Sequence, residues 1–135
     1  MDLSSPTQSR DYPSTAQNLT HPARLRARAS LYGIRDVAEG PFRLLELGCG
    51  NGANLLPLAA QFPDAELVGV DIDPALIERA AQGAKASGLN NLRFVASDLR
   101  DFEPPSEPFD FVLTHGVYSW VPDDVQETIF AITAR

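Results

Sequence analysis

From Phe42 onward, short apolar stretches alternate with stretches of helical spacing, and this alternation limits the fold more than any other feature. The apolar stretches are FRLLEL, AELVGVDI, LRFVASD and FDFVLTHG, and NGANLLPLAAQF and DPALIERAAQGAKASG lie between the first three. Strands separated by helices of about ten to fifteen residues predict right-handed βαβ crossovers. Near-continuous apolar runs such as LVGV are typical of strands that are covered on both faces. The sequence therefore predicts an α/β fold with a doubly wound parallel sheet of about four strands.

The first 40 residues have a different composition. Residues 1–19 are rich in Ser, Thr, Pro and Gln and predict a disordered arm. The stretch THPARLRARASLYGI predicts a helix that begins at Pro22 and has Gly33 as the C′ residue just past its end, within an N-terminal helix and linker over residues 20–40. The three arginines at positions 24, 26 and 28 are interpreted as a solvated face of this helix.

The C-terminal stretch VPDDVQETIFAITAR predicts a further helix, with Val125, Ile129 and Ile132 as its apolar stripe. A doubly wound sheet normally continues beyond its fourth strand. Residues 41–135 are therefore interpreted as an incomplete core, and we expect the chain to be a fragment of a longer protein. The alternative is a fourth strand whose exposed edge pairs with a partner.

Length and charge exclude several classes of function. The 135 residues provide one modest core, and the formal charge is −7. Residues 41–135 carry six basic against fourteen acidic side chains, which disfavours nucleic-acid binding by the surface. No apolar run is long enough for a membrane helix, and no secretory signal is recognisable, so a cytoplasmic protein without membrane contact is expected. The single cysteine, Cys49, has no second thiol with which to form a disulfide or a metal site.

A glycine cluster follows the first predicted strand, in ELGCGNGAN. Gly48, Gly50 and Gly52 lie where ligands bind such sheets, at the carboxyl end of a strand beside the switch point. Glycine permits a tight turn and a close approach of a ligand to the backbone, and the following helix offers N–H groups to an anion. The letters fit two patterns: GxGxxA, which suits a dinucleotide, and ExGxGxG, in which a carboxylate precedes the turn.

Acidic residues at the ends of three successive strands distinguish these two patterns. Glu46 stands in an apolar strand and needs a donor such as an ammonium group or a backbone amide, whereas a pyrophosphate would be repelled. Asp71 suits a ribose diol, and Asp98 or the Leu99 amide suits the edge of an adenine. Positive charge, hydroxyls and an exocyclic amine are combined in S-adenosylmethionine, whose carboxylate would meet the amides of the glycine turn.

These motifs carry a family resemblance. ELGCGNG, GVDIDP, ASDL and FDFVLTHGV resemble, in order, the motifs of class I S-adenosylmethionine-dependent methyltransferases. THPARL and HGVYSWVP further resemble bacterial methyltransferases that carry a methyltransferase regulatory domain later in a longer chain. The resemblance implies a Rossmann-like, seven-stranded fold of which this chain is the N-terminal part. It also implies methyl transfer to an acceptor that is not identified, with protein side chains suggested by the resemblance alone.

The resemblance also implies roles for individual residues. The three glycines would line the methionine part, Glu46 would orient its amino group, Asp71 would bind the ribose, and Ile72 would pack against the adenine that Asp98 and Leu99 bracket. Thr20, His21 and Arg24 would belong to a helix over the cofactor side. The implied cofactor-binding set is Glu46, Gly48, Cys49, Gly50, Gly52, Asp71, Ile72, Asp98, Leu99, Thr114 and His115.

Several of these residues also have a purely structural interpretation. His115 is a candidate general base or a hydrogen-bonded structural residue. Tyr118 and Trp120 either wall the acceptor pocket or pack under the last helix. Cys49 is interpreted as a small filler of the turn, and helix capping is the alternative for Asp71 and Asp98. Asp73, which precedes Pro74, is better explained as a helix cap.

Methyl transfer is an in-line displacement in which alignment and desolvation dominate, so it requires no obvious acid or base. Two other functions stay open from the sequence. One is a regulatory module that binds S-adenosylmethionine without turnover, and the other is an NAD-dependent oxidoreductase that uses the GxGxxA pattern.

Overall fold

The apolar stretches form four parallel strands, β1 (Arg43–Leu47), β2 (Glu66–Asp71), β3 (Leu92–Ala96) and β4 (Phe111–Thr114). The structure is a computed structural model that describes residues 15–134. The order of the strands is β3-β2-β1-β4, so β1 lies between the strand that follows it and the strand that comes last. This reversal of strand order beside β1 confirms the predicted doubly wound sheet and its switch point.

Four α-helices accompany the strands: α1 (Pro22–Leu31), α2 (Leu55–Gln61), α3 (Pro74–Ala86) and α4 (Asp123–Thr133). Short 3-10 turns at Asn18–Thr20 and Tyr118–Trp120 were not predicted. The prediction that a helix begins at Asn51 was wrong, since α2 begins at Leu55. The reason is Gly52, whose φ of 76° is incompatible with a right-handed helix and extends the turn.

The sheet separates two apolar clusters. Leu44, Leu67 and Leu113 pack on one face against residues of α2 and α3. Leu45 and Val68 pack on the other face against α4. Successive strand residues point to opposite faces, so this alternation covers the sheet on both sides, as the apolar runs predicted.

Helix α1 begins and ends where the sequence predicted. Pro22 is its first residue, His21 caps it by accepting a hydrogen bond from the Ala23 N–H at 3.2 Å, and Gly33 follows its end with a φ of 77°. The interpretation of all three α1 arginines as solvated was wrong for Arg26. Its Nε donates to the Ala38 carbonyl at 2.6 Å, and its guanidinium lies over the rings of Phe42 and Phe111. The attraction of a cation to two aromatic faces holds this side chain against the core.

The arm predicted over residues 1–19 lies mostly outside the described residues. The final residues of the predicted disordered arm contact the core, because the Gln17 N–H donates to Asn54 Oδ1 at 2.8 Å and the 3-10 turn Asn18–Thr20 follows. Within residues 15–134, every helix is too short or too polar to cross a membrane.

Strand β4 is an outer strand of the sheet. It pairs with β1 on one side, and no other strand among residues 15–134 pairs with its second side. Pairing of this edge with a further strand stays a prediction.

Candidate functional site

The predicted site residues come together at one edge of the sheet, where all four parallel strands end. Glu46 is the penultimate residue of β1, Asp71 ends β2 and Thr114 ends β4, while Asp98 lies two residues beyond β3. The strands are parallel and in register, so their carboxyl ends lie side by side. The edge is the one at which ligands bind in open α/β sheets.

The glycine turn is tied to the end of β2. Gly48, Gly50 and Gly52 have φ values of 76°, 55° and 76°, which L side chains rarely adopt. The Gly50 N–H donates to Asp71 Oδ2 at 2.8 Å, and the Gly48 N–H donates to the Val70 carbonyl at 2.7 Å. The carboxylate of Asp71 therefore orients the turn from the end of β2.

The expectation that these glycine amides meet the carboxylate of a cofactor is not supported by this geometry. The N–H groups of Gly48, Gly50 and Gly52 all donate to acceptors within the chain, the last to the Cys49 carbonyl at 3.0 Å. The turn thus presents backbone surface and carbonyl oxygens rather than these N–H donors.

The three glycines differ in what surrounds them. A Cβ atom at Gly48 would overlap the Val117 side chain, and one at Gly52 would lie 2.7 Å from the ring of Phe94. A Cβ atom at Gly50 would meet no atom within 4 Å. Packing thus explains the small residue at positions 48 and 52, whereas Gly50 faces open space that a ligand can fill.

Glu46 is the most unusual side chain of the site. It is 4% exposed and lies among leucines in β1, whose only other polar residue is Arg43 at the start of the strand. Oε1 accepts a hydrogen bond from Asn54 Nδ2 at 2.8 Å, while the buried Oε2 has no hydrogen-bond donor among residues 15–134. Burial raises the pKa of the carboxyl to about 7, against the opposing effect of the Asn54 hydrogen bond. A ligand donor that reached Oε2 would favour the ionised form.

Sequence reasoning missed Asn54. An Asn directly before a helix usually caps it, but this side chain makes no cap hydrogen bond to α2. It is 7% exposed and contacts Glu46 and the N-terminal segment instead. The neighbouring ANLL sequence contains no local signal for these contacts, because their partners lie 8 to 37 residues away.

The acids after β2 have separate tasks. Asp71 Oδ1 accepts from the Asp73 N–H at 3.0 Å, which leaves its carboxylate with further lone pairs for hydroxyl donors. Asp73 accepts from the N–H groups of Ala75 and Leu76, so it caps α3 as predicted. Ile72 between them is 68% exposed and forms an apolar surface beside the Asp71 carboxylate.

Asp98 is held by Arg100, a partner that the sequence analysis did not identify. Arg100 donates to both carboxylate oxygens of Asp98, at 3.0 and 2.6 Å, and to Asp124 of α4 at 2.9 Å. The side-chain and backbone hydrogen bonds of Arg100 hold the pKa of Asp98 below its ordinary value. Leu99 is buried in the apolar cluster that packs against α4. The Asp98 carboxylate is thus ionised, and its orientation is fixed by Arg100. A ligand would compete with Arg100 for the lone pairs of this carboxylate.

The end of β4 contributes a second unsatisfied polar atom. Thr114 Oγ1 is buried and has no hydrogen-bond partner among the described residues. His115 is exposed at the same strand end. Tyr118 packs its ring against Phe130 of α4 with a centroid distance of 5.6 Å, whereas Trp120 is 75% exposed. Tyr118 is thus 39% exposed and contacts α4 through a partly exposed ring, and Trp120 lies at the surface.

Cys49 fills the turn, as the sequence suggested. It is buried, and a Cβ atom at Gly69 of β2 would lie 2.7 Å from its Sγ. Burial is the largest cause that raises the pKa of this thiol, and the charges of Asp71 and Glu46 add to it. The thiol is thus held neutral, and its surroundings are those of a packing residue rather than a nucleophile.

Comparison with known proteins agrees with this architecture. A family model described as a methyltransferase domain matches residues 44–135. The chain is 37% identical over 124 residues to an uncharacterised protein of Rickettsia prowazekii, covering 92% of the chain and 22% of that protein. It is 39% identical over 111 residues to the trans-aconitate 2-methyltransferase of Streptomyces coelicolor, covering 79% of the chain and 36% of that enzyme.

Solved structures show the same similarity. The structure of PKMT2 from Rickettsia typhi in complex with AdoHcy superposes with a TM-score of 0.84 at 32% identity, covering 90% of the chain and 24% of that protein. The chain thus spans less than half the length of each of these relatives. The match over residues 44–135 and the parallel sheet with its switch point at β1 show that the chain belongs to the class I methyltransferase domain family.

Proposed function

We propose that the chain binds S-adenosylmethionine at the carboxyl edge of its sheet, and that the protein which contains it transfers the methyl group to an acceptor. Membership of the methyltransferase domain family supports this proposal. A related structure, PKMT2 from Rickettsia typhi, was solved with AdoHcy. The acceptor is not identified by any of these observations.

The buried Oε2 of Glu46 is the observation that carries the proposal. It lies at the end of β1 with no donor among the described residues. Burying a carboxylate oxygen without a donor costs several kcal/mol, about the size of a strong charge-assisted hydrogen bond. The ammonium group of a methionine moiety supplies both the missing donor and the missing positive charge. The residues therefore fit the amino-acid end of this cofactor.

The neighbouring strand ends suit the nucleoside. Asp71 retains lone pairs for the two ribose hydroxyls while it holds Gly50 in place. Ile72 offers an exposed apolar face to an adenine ring. Asp98 would accept from the exocyclic amine, because its ionised carboxylate is a strong acceptor, and the Leu99 N–H would donate to a ring nitrogen of the adenine.

The methyl group would be presented near the glycine turn and the end of β4. When bound, S-adenosylmethionine supplies a methyl group on a positively charged sulfur. The chain would line it with the glycine turn, in which Gly50 faces open space, and would offer Thr114 and His115 at the facing strand end. We place Trp120 at the wall of the acceptor site because its ring is exposed there, with Tyr118 behind it. His115 is the candidate proton acceptor for a substrate that requires one.

Calorimetric titration tests the proposal. The purified chain is titrated with S-adenosylmethionine, S-adenosylhomocysteine and NAD under the same conditions. Binding of the first two compounds with no heat from NAD is expected. Binding of NAD alone would contradict the proposal and favour the dinucleotide interpretation of the glycine turn.

A further inference from the structure

The Asn54 carboxamide connects three parts of the chain. Its Oδ1 accepts from the Gln17 N–H at 2.8 Å, and its Nδ2 donates to Thr20 Oγ1 at 3.2 Å and to Glu46 Oε1 at 2.8 Å. One side chain that is only 7% exposed therefore contacts both β1 and the segment before α1. We name residues Gln17–His21 the docking segment.

The orientation of this carboxamide is fixed by its partners. A backbone N–H can only donate, so the atom that faces Gln17 must be the carbonyl oxygen of Asn54. The amino group then has to face Glu46 and Thr20, both of which accept. Rotating the carboxamide by half a turn would set donor against donor and oxygen against carboxylate. Docking of Gln17 thus determines which atom of Asn54 is presented to Glu46.

The docking segment is attached along α2 at two points. Asn54 immediately precedes α2 and holds Gln17 and Thr20, while Gln61, the last residue of α2, lies 3.0 Å from His21 Nε2. The Thr20 hydroxyl also donates to the Gln17 carbonyl at 2.9 Å, which closes the 3-10 turn. The segment therefore lies along α2, and its Gln17 end contacts Asn54, the hydrogen-bond partner of Glu46.

We propose that Asn54 is a positioning residue that couples docking of residues 17–21 to the orientation of the Glu46 carboxylate. With Oε1 held by Asn54, Oε2 is left as the oxygen available to a ligand. The consequence for cofactor affinity rests on the proposed function: a ligand donor on Oε2 stabilises the same carboxylate orientation that the docked segment requires. Such coupling is reciprocal. Ligand binding should therefore stabilise the docked segment, and loss of the segment contact should lower the affinity for the ligand.

Hydrogen exchange of the Gln17 amide in the whole chain tests the coupling without a cofactor. Asn54→Ala removes the acceptor and should speed this exchange about fivefold, the size of one modest hydrogen bond. Glu46→Ala leaves Gln17 and Asn54 in place, yet it should speed the same exchange about two- to fivefold because Asn54 loses its orientation. Glu46→Gln retains an acceptor oxygen for Asn54 and should restore slow exchange.

Asp73→Ala is the control. The Asp73 carboxylate accepts from the N–H groups of Ala75 and Leu76 at the start of α3 and makes no hydrogen bond to the docking segment within residues 15–134. Its loss should lower the melting temperature and leave exchange at Gln17 unchanged. Equal exchange rates in the wild type and Glu46→Ala would overturn the coupling, and this comparison does not depend on how well Asn54→Ala folds.

S-adenosylhomocysteine then separates the coupling from the proposed function. It should slow Gln17 exchange in the wild type and bind Asn54→Ala about tenfold more weakly. If the compound does not bind while Glu46→Ala still speeds exchange, the proposed function fails and the coupling stands. If it binds normally to Asn54→Ala and leaves Gln17 exchange unaltered, the coupling is overturned and the proposed function stands.

Discussion

At the scale of single residues, Glu46 dominates the energetics of the site. A buried carboxylate with one hydrogen bond and one unpartnered oxygen is easier to keep neutral than ionised, which is why its pKa rises to about 7. The charges of Asp71 and Glu46 help to raise the pKa of the neutral Cys49 thiol in the same region, and Asn54 is the neutral donor to Glu46. The protein therefore holds a carboxyl group whose ionisation is favoured by a cationic ligand.

This predicts a dependence of stability on pH. Between pH 4.5 and about 7, Glu46 is protonated in the folded chain but is already ionised in the unfolded chain. The contribution of Glu46 to stability is therefore fully present below pH 4.5 and is lost as the pH rises through about 7, by about 3 kcal/mol. Urea unfolding of the wild type and Glu46→Gln across this range measures the difference. A constant difference between the two proteins would contradict the assigned burial.

Glu46→Gln should also discriminate between two nucleosides. The substitution keeps the size of the side chain and removes its charge, so affinity for S-adenosylhomocysteine should fall by about 1.5 to 3 kcal/mol. Affinity for 5′-methylthioadenosine, which lacks the amino-acid portion, should stay as in the wild type. Calorimetry with both compounds gives the comparison, and equal losses for the two would remove Glu46 from the amino-group site.

Asp71 and Asp73 are suited to a paired comparison, because they are two residues apart and have different roles: Asp71 is the proposed ribose ligand and Asp73 caps α3. Asp71→Ala should weaken cofactor affinity by about 1.5 to 3 kcal/mol, since it removes the acceptor of two hydroxyls. Asp73→Ala removes the cap of α3 and should lower stability by about 1 kcal/mol without changing affinity. Titration and thermal unfolding of both variants provide the test. Unchanged affinity in folded Asp71→Ala would exclude this carboxylate from the site.

At the scale of elements, the glycine turn predicts different outcomes for the same substitution. Gly50→Ala pays only the strain of a positive φ, about 1 to 2 kcal/mol, because its surroundings are open. Its new methyl group enters the crevice and should lower S-adenosylhomocysteine affinity about tenfold or more. Gly52→Ala drives a Cβ into Phe94 and should cost about 1 to 3 kcal/mol of stability in addition to the strain.

Thermal unfolding and calorimetry of the two glycine variants separate packing from ligand approach. Gly52→Ala should lose mainly stability, and Gly50→Ala should lose mainly affinity. Affinity for S-adenosylhomocysteine that is unaltered in Gly50→Ala would show that the ligand does not approach the turn at this residue.

Elements with a strong local pattern were predictable from the sequence. Alternating apolar strips placed every strand within a few residues, and Pro22 and Gly33 marked the limits of α1 because their dihedral preferences act locally. The start of α2 was misplaced because the turn that precedes it depends on contacts with β2. Gly69 lets Cys49 and Leu55 pack directly on that strand, and such a contact has no local signature.

The side-chain partners of the site were not predictable in the same way. The acids at the strand ends follow from the motif, but the Asn54 contact with Gln17 and the Arg26 contact with Phe111 join residues far apart in sequence. An isolated Asn or Arg fits a helix cap or a solvated face equally well. Only the fold determines that these two side chains pack inward.

At the scale of the whole molecule, the two ends of the parallel strands differ in the residues that they carry. The amino ends of β1 and β4 are closed by Phe42, Phe111 and Arg26. At the carboxyl ends lie the acids, the glycine turn and the oxygens of Glu46 and Thr114 that have no hydrogen-bond partner within residues 15–134. We therefore expect a positively charged nucleoside to bind at this edge of the sheet, where β4 is the outer strand within residues 15–134.

The central claim is tested most directly by a crystal structure of the chain soaked with S-adenosylhomocysteine. The amino group should lie within hydrogen-bonding distance of Glu46 Oε2, with the ribose hydroxyls on Asp71 and the adenine beside Ile72 and Leu99. Density for the compound at another surface, or a Glu46 carboxylate that contacts no part of it, would contradict the assignment.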